Sequence, residues 1–234
     1  MILPRDFVRR CATSYPDKVA FVDGALRRTW EQMHERSDRF ASALQAMGIG
    51  KGDVVAILAH DHVEVIEHWF ACLKIGAVRV GVNWRYAPRE MLHLIHDCAA
   101  RVLIVQDNCL PLLGEHLDTL RAAGGRIIGL RGGHGLELDY EKLLAGHNAR
   151  PTLPPLTDED YSGISYTSGT TGLPKGALWT QRSVRECLLH TNFQIGLRHE
   201  DVFLSPGPTA RTRLLLNSFA LVNCRAQTLP GGRF

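Results

Sequence analysis

Between residues 54 and 130, short runs rich in Val and Ile alternate with longer segments of helical spacing. No other feature constrains the fold of this chain as much. The runs 54–59, 78–82, 102–106 and 127–130 read as strands, and 63–75, 89–98 and 110–122 as helices. These strands are rich in Val and Ile and, Arg79 and Gln106 apart, lack polar residues at alternate positions, as suits strands covered on both sides. Parallel neighbours need a crossover of a dozen or more residues, which the intervening segments supply. The expected class is therefore α/β: a mostly parallel sheet flanked by helices, joined by right-handed crossovers.

The flanking regions extend this pattern. Residues 4–14 read as a short helix that ends before Pro16, and 19–22 and 25–30 flank Asp23-Gly24, a hairpin signal. Thr29 and Gln32 have the spacing of a capping box. Behind them Trp30, Met33, Phe40, Ala41, Leu44 and Met47 recur at helical spacing and read as a core stripe. Further on, 140–145 reads as a helix, and the Pro-rich 148–160 as a connection into a strand at 162–166. A short strand is expected at 177–180, a helix capped by Ser183 and Glu186, a strand at 202–205 and an apolar helix at 214–222.

Between the strands at 162–166 and 177–180 lies Tyr166-Thr167-Ser168-Gly169-Thr170-Thr171-Gly172-Leu173-Pro174-Lys175-Gly176. Its glycines permit a close backbone approach to a ligand. Successive N–H groups in such a turn suit an anion, and hydroxyls with a lysine add donors fit for phosphate. The spacing is not that of the kinase and GTPase loop. Counted from Gly169, Pro174 stands at the second glycine position, and Gly176 follows the lysine where a Mg²⁺-binding hydroxyl belongs.

This stretch resembles the phosphate-binding signature of the adenylate-forming (AMP-binding) enzymes, which include acyl-CoA synthetases, aryl-CoA ligases and peptide-synthetase adenylation domains. Gly52-Asp53-Val54-Val55-Ala56-Ile57, Leu73-Lys74-Ile75-Gly76-Ala77-Val78 and Asn83-Trp84-Arg85-Tyr86-Ala87-Pro88-Arg89-Glu90 add to the resemblance. The last is more similar to the fatty-acid–CoA ligase branch than to peptide-synthetase domains. The resemblance implies αβαβα layers and assigns Thr167, Ser168, Gly169, Thr170, Thr171, Gly172 and Lys175 to ATP phosphates. It implies ATP and Mg²⁺, a fatty or aryl carboxylic acid activated as acyl-adenylate, and coenzyme A as the acceptor. Family members are about twice as long, so the chain reads as an N-terminal portion without the C-terminal domain. Residues 50–180 would form the main subdomain, with 1–49 and 181–234 parts of a second, incomplete one through which the chain could associate or form a homo-oligomer. No catalytic residue is assigned within the chain, which would be inactive alone; the alternative is a truncated, non-catalytic paralogue that retains nucleotide or partner binding. Two positions depart from the family pattern: Thr180-Gln181-Arg182 stands for a Thr-His-Arg triplet, and Pro208-Thr209-Ala210-Arg211 for a Pro-x-x-His motif.

Composition excludes other classes. A net charge of +3 with scattered Lys and Arg gives no footprint for nucleic acid. No apolar run approaches a transmembrane span, and the N-terminal residues lack signal-peptide features. None of the six cysteines is paired as C-x-x-C, which fits a reduced, cytoplasmic setting. His93 and His96, and His60 and His62 around Asp61, lack further ligands at metal-site spacing and read as surface or partly buried side chains.

Overall fold

A computed structural model describes residues 2–114, 116–122, 124–167, 173–196, 201–204 and 225–228. Helix α1 (Asp6–Ser14) precedes the hairpin β1 (Val19–Asp23) and β2 (Leu26–Thr29), and α2 (Trp30–Ala46) follows. Trp30, expected at the end of the second strand, instead opens α2. Thr29 caps that helix in extended backbone, Gln32 N donating to its Oγ1 at 3.3 Å and Thr29 N to Gln32 Oε1 at 3.0 Å.

The alternating stretch folds as β3 (Val54–Leu58), α3 (Val63–Ile75), β4 (Val78–Val82), α4 (Pro88–Asp97) and β5 (Val102–Gln106). The single helix expected at 110–122 is two, α5 (Leu110–Leu113) and α6 (His116–Ala122), because Gly114 leaves the helical backbone between them. Then come β6 (Arg126–Leu130), β7 (Leu138–Asp139), α7 (Tyr140–Gly146), β8 (Tyr161–Thr167), β9 (Lys175–Thr180), α8 (Gln181–Ile195), β10 (Val202–Leu204) and β11 (Arg225–Thr228). The short strands β7 and β11 carry no periodic signal in the sequence. The expected helix at 214–222 lies outside the described residues.

Seven strands form one sheet in the order β7-β6-β5-β3-β4-β8-β9, parallel except for the terminal β8–β9 pair. Its interior alternates as a covered sheet must. Val55, Ile57, Val102, Ile104, Ile128 and Leu130 pack with α2 and α7, while Ala56, Leu58, Leu103, Val105 and Ile127 pack with α4, α5 and α6. A second sheet has the order β10-β11-β1-β2. Among the described residues the layers thus run helix, sheet, helix, sheet. The architecture is the mostly parallel, helix-flanked α/β fold expected.

Helix α3 lies between the sheets, and each of its residues is buried. Ile66, Phe70 and Leu73 meet Phe21 of β1, while Val65, Cys72 and Ile75 meet the main sheet. Such a helix must also bury its polar residues, and each finds partners from other elements. Glu67 takes Arg36 Nε at 2.6 Å and Nη2 at 3.0 Å, plus the Tyr140 hydroxyl at 3.1 Å. Burial raises the Glu67 carboxyl above its ordinary range, and Arg36 pulls the other way. Gly76 ends the helix at φ 70°, and a Cβ there would stand 2.7 Å from Leu156 Cδ2, so only glycine fits.

Leu156 belongs to the Pro-rich connection, which is stapled to the body. Gln45 makes a two-way pair with the Thr152 backbone at 2.7 and 2.9 Å, and Lys51 reaches Asp160 at 2.8 Å.

Candidate nucleotide-loop site

The signature stretch is the connection of the β8–β9 hairpin. Thr167 and Lys175 are direct cross-strand partners, as are Tyr166 and Gly176. Thr167 and Lys175 are exposed at the mouth of this connection. Ser168, Gly169, Thr170, Thr171 and Gly172 lie outside the described residues. β8 runs parallel to β4, pairing Gly163 with Arg79, so the hairpin mouth faces the C-terminal edge of the parallel strands. Open α/β sheets bind ligands at that edge.

Two packing features hold the mouth in place. Tyr166 is 6% exposed, and its hydroxyl donates to Asp97 Oδ2 at 2.6 Å at the end of α4. Burial, then Asp97, pushes the phenol well above its usual range, so it stays a neutral donor. A Cβ on Gly176 would approach Ile164 Cγ2 to 2.8 Å and Tyr166 Cζ to 3.1 Å. Gly176 therefore serves strand packing. Asp97 carries no motif that would have singled it out; only the fold brings it to Tyr166.

Behind the hairpin, Thr180 rather than Ser183 caps α8. Ser183 N donates to Thr180 Oγ1 at 3.2 Å, and Thr180 N to Ser183 Oγ at 2.8 Å. The expected Ser183–Glu186 box is thus replaced by one three residues earlier, because Thr180 leaves β9 already in extended backbone. Glu186 instead meets Arg185. Gln181 is fully buried with neither side-chain polar atom bonded among the described residues. The second departure from the family pattern, at 208–211, lies outside the described residues.

The same sheet edge carries a polar network that sequence spacing did not reveal. His60 N donates to Gln106 Oε1 at 2.9 Å, His62 Nδ1 lies 3.1 Å from Asp23 Oδ2, and the His60 ring meets Trp84 at 4.3 Å. Arg131 reaches both Asp23 and Glu64 at 2.8 Å, tying β1 of the second sheet to α3 and β6. Asp23 is partly buried, yet His62, Arg131 and the Val63 amide outweigh that burial and hold its carboxyl below the usual range. His60 and His62 are partly buried, as is His93, and His96 is exposed. No group of three or more His, Cys, Asp or Glu among the described residues could hold a metal ion. Cys11, Cys72, Cys98 and Cys109 are buried and not in disulfides, and burial pushes the Cys11 and Cys98 thiols up to about 12, which makes them poor nucleophiles. Cys224 lies outside the described residues.

The family profile described as AMP-binding enzyme matches residues 8–219. The chain belongs to this family. Among curated relatives, a long-chain-fatty-acid–CoA ligase of Thermus thermophilus is 31% identical over 236 residues, covering 97% of this chain and 43% of the relative. A feruloyl-CoA synthase of an Amycolatopsis species is 37% identical over 174 residues, covering 74% of this chain and 32% of the relative. Among solved structures, the inhibitor-bound N-terminal domain of FACL13 from Mycobacterium tuberculosis superposes with a TM-score of 0.86 at 28% identity, covering all of this chain and 58% of that one. The chain thus spans less than half the length of these curated relatives and aligns with the N-terminal part of the adenylate-forming fold. No helix among the described residues is long and apolar enough to cross a membrane.

Proposed function

We propose that this chain is the N-terminal region of a fatty-acid–CoA ligase type of acyl-CoA synthetase, which binds ATP to activate a carboxylic acid as acyl-adenylate before transfer to coenzyme A. The observation that carries this reading is the placement of the signature. Its described ends, Thr167 and Lys175, are cross-strand partners at the sheet edge where open α/β folds take ligands. Their hydroxyl and ammonium groups fit phosphate oxygens, and an exposed lysine has no competing structural task.

In this reading Thr167, Ser168, Gly169, Thr170, Thr171, Gly172 and Lys175 wrap the phosphates, and Mg²⁺ arrives with the nucleotide to offset its charge. Tyr166, through Asp97, keeps the hairpin from sliding. The hairpin's work is then positioning and charge stabilisation, which orient the α-phosphorus for in-line attack by the carboxylate. Alcohol and thiol nucleophiles of the protein need take no part. The names of the relatives support a fatty or aryl acid as substrate, and buried cysteines not in disulfides support a reduced, cytoplasmic setting. The proposed division into a main subdomain at 50–180 and a second at 1–49 and 181–234 is supported by the pairing of β1 with β11, which joins β2 and β10 in one sheet.

The test is nucleotide binding and acid-dependent exchange of pyrophosphate into ATP, with and without Lys175→Ala. Loss of one charge-assisted contact should weaken ATP use by about 1–3 kcal/mol, roughly five- to 150-fold. Unaltered ATP binding in that variant would remove the loop from the site. Binding without exchange is the outcome expected of an N-terminal portion that is inactive alone, whereas acid-dependent exchange lost in Lys175→Ala would make the chain a working half-enzyme.

A further inference from the structure

A second polar recess lies at the sheet edge opposite the signature hairpin. α3 begins after β3, beside the C-terminal ends of the strands, and finishes at Lys74 and Ile75 next to the start of β4. Thirteen helical residues separate the two edges by about 20 Å. At the far edge, α1, α2 and the segment around residue 150 enclose a cleft of about 460 Å³. Its lining residues Arg9, His34, Asp38 and Arg150 also line an inner recess of about 120 Å³ that reaches Lys74. That is room for several waters or a tetrahedral oxyanion.

The charges of the inner recess do not balance. Arg5, Arg9, Lys74 and Arg150 stand against only two carboxylates, Asp6 and Asp38. Both carboxylates are already engaged, Asp38 with Lys74 at 2.5 Å and Asp6 with Arg9 at 3.2 Å. Arg5 donates to the Pro154 carbonyl, a neutral acceptor, and Arg150 is exposed with no carboxylate partner among the described residues. The inner recess by itself thus carries two more cations than carboxylates, and Glu31 and Glu35 with Arg39 in the adjoining outer cleft reduce the surplus to one over both.

His34 registers that field. Burial, then Lys74, lowers its imidazole to about 4, and Arg150 and Arg9 push the same way. Lys74 Nζ lies 3.0 Å from His34 Nδ1. An ammonium at that distance can only donate and disfavours a proton on Nδ1, so the ring proton sits on Nε2. That Nε2 is 3.7 Å from Asp38 Oδ2, beyond a hydrogen bond, and is left as a neutral donor at the recess.

We propose that this recess binds the phosphate group of a small phosphorylated molecule, with Arg150, Arg5 and the His34 Nε2–H as its recognition groups. The two surplus cations of the inner recess suit a dianion better than a monocarboxylate. The outer cleft, where Glu31 and Glu35 stand with Arg39, gives the organic part of the ligand a wall of mixed charge. The site stands apart from the nucleotide loop and does not rest on the function proposed above.

The experiment follows the His34 ring nitrogens by NMR in the full chain, titrated with inorganic phosphate at pH 7.5 and constant ionic strength. A saturable shift is expected, at least tenfold weaker with acetate and at least tenfold weaker in Arg150→Gln, whose exposed position leaves the melting temperature unchanged. Lys175→Ala should leave the titration as it is, which separates this recess from phosphate held at the loop. A response that does not saturate, that acetate matches, or that survives Arg150→Gln would overturn the proposal.

Discussion

Lys175 and Lys74 are the same residue type in opposite situations. Lys175 is exposed at the mouth of a hairpin, whereas Lys74 is 3% exposed at the end of a helix held between two sheets. Lys74 donates to Asp38 at 2.5 Å, Ser37 Oγ at 2.7 Å and the His34 carbonyl at 2.8 Å. Burial lowers it to about 8 against the pull of Asp38. A lysine with that many internal partners is part of the fold's own charge balance. Lys175, exposed and without a side-chain partner among the described residues, has no such place in the fold's charge balance. The difference teaches that exposure and burial set what a lysine does here: Lys175 is presented to solvent, and Lys74 is spent on internal partners.

The largest effect should come from the buried side. Lys74→Ala leaves Asp38 without its cation, and removing one member of a buried pair costs about 3–5 kcal/mol. Equilibrium urea unfolding measures it, and a loss under about 1 kcal/mol would erase the contrast with Lys175. Lys175→Ala is the matched control, since the same denaturation curve should barely move while ATP use drops as stated above. A destabilisation comparable to that of Lys74→Ala would show that the hairpin mouth is structural.

Between these extremes sits Tyr166→Phe. It removes a buried hydroxyl from Asp97 and keeps the ring, so stability should fall by about 1–2 kcal/mol. If the hairpin is positioned through this contact, the apparent affinity for ATP should also fall; an unchanged affinity would limit Asp97 to packing.

The smallest effect is a slope with pH. His34 and the fully buried His68 both have imidazoles lowered by burial, with Lys74 and Arg79 respectively adding to it. The unfolded chain therefore takes up protons below pH ~6.5 that the folded chain refuses until about 4 in the case of His34. Stability should decline as pH falls through that window, and His34→Gln should flatten the decline. A curve identical to that of the parent would place the acid sensitivity elsewhere.

The strand and helix alternation from 54 to 130, the hairpin at Asp23-Gly24 and the signature loop were legible because each depends on neighbours within a few residues. Periodicity, turn chemistry and caps are local properties. The same locality explains the misplaced cap. Ser183 and Glu186 satisfy the spacing, but the hydrogen bonds went to Thr180, whose backbone was fixed by its strand. What the tertiary structure alone decided is where charge is hidden. Arg36 meets Glu67 across 31 residues, Tyr166 meets Asp97 across 69, and Arg131 meets Asp23 across 108. No spacing rule reaches that far, because such pairs form only once packing has removed the water that would otherwise satisfy each group alone. The sequence thus determined most of the elements and the signature that marks the family. Three-dimensional packing decided that α3 is buried on every side, that Lys74 serves the fold, and that surplus positive charge collects at the edge away from the loop.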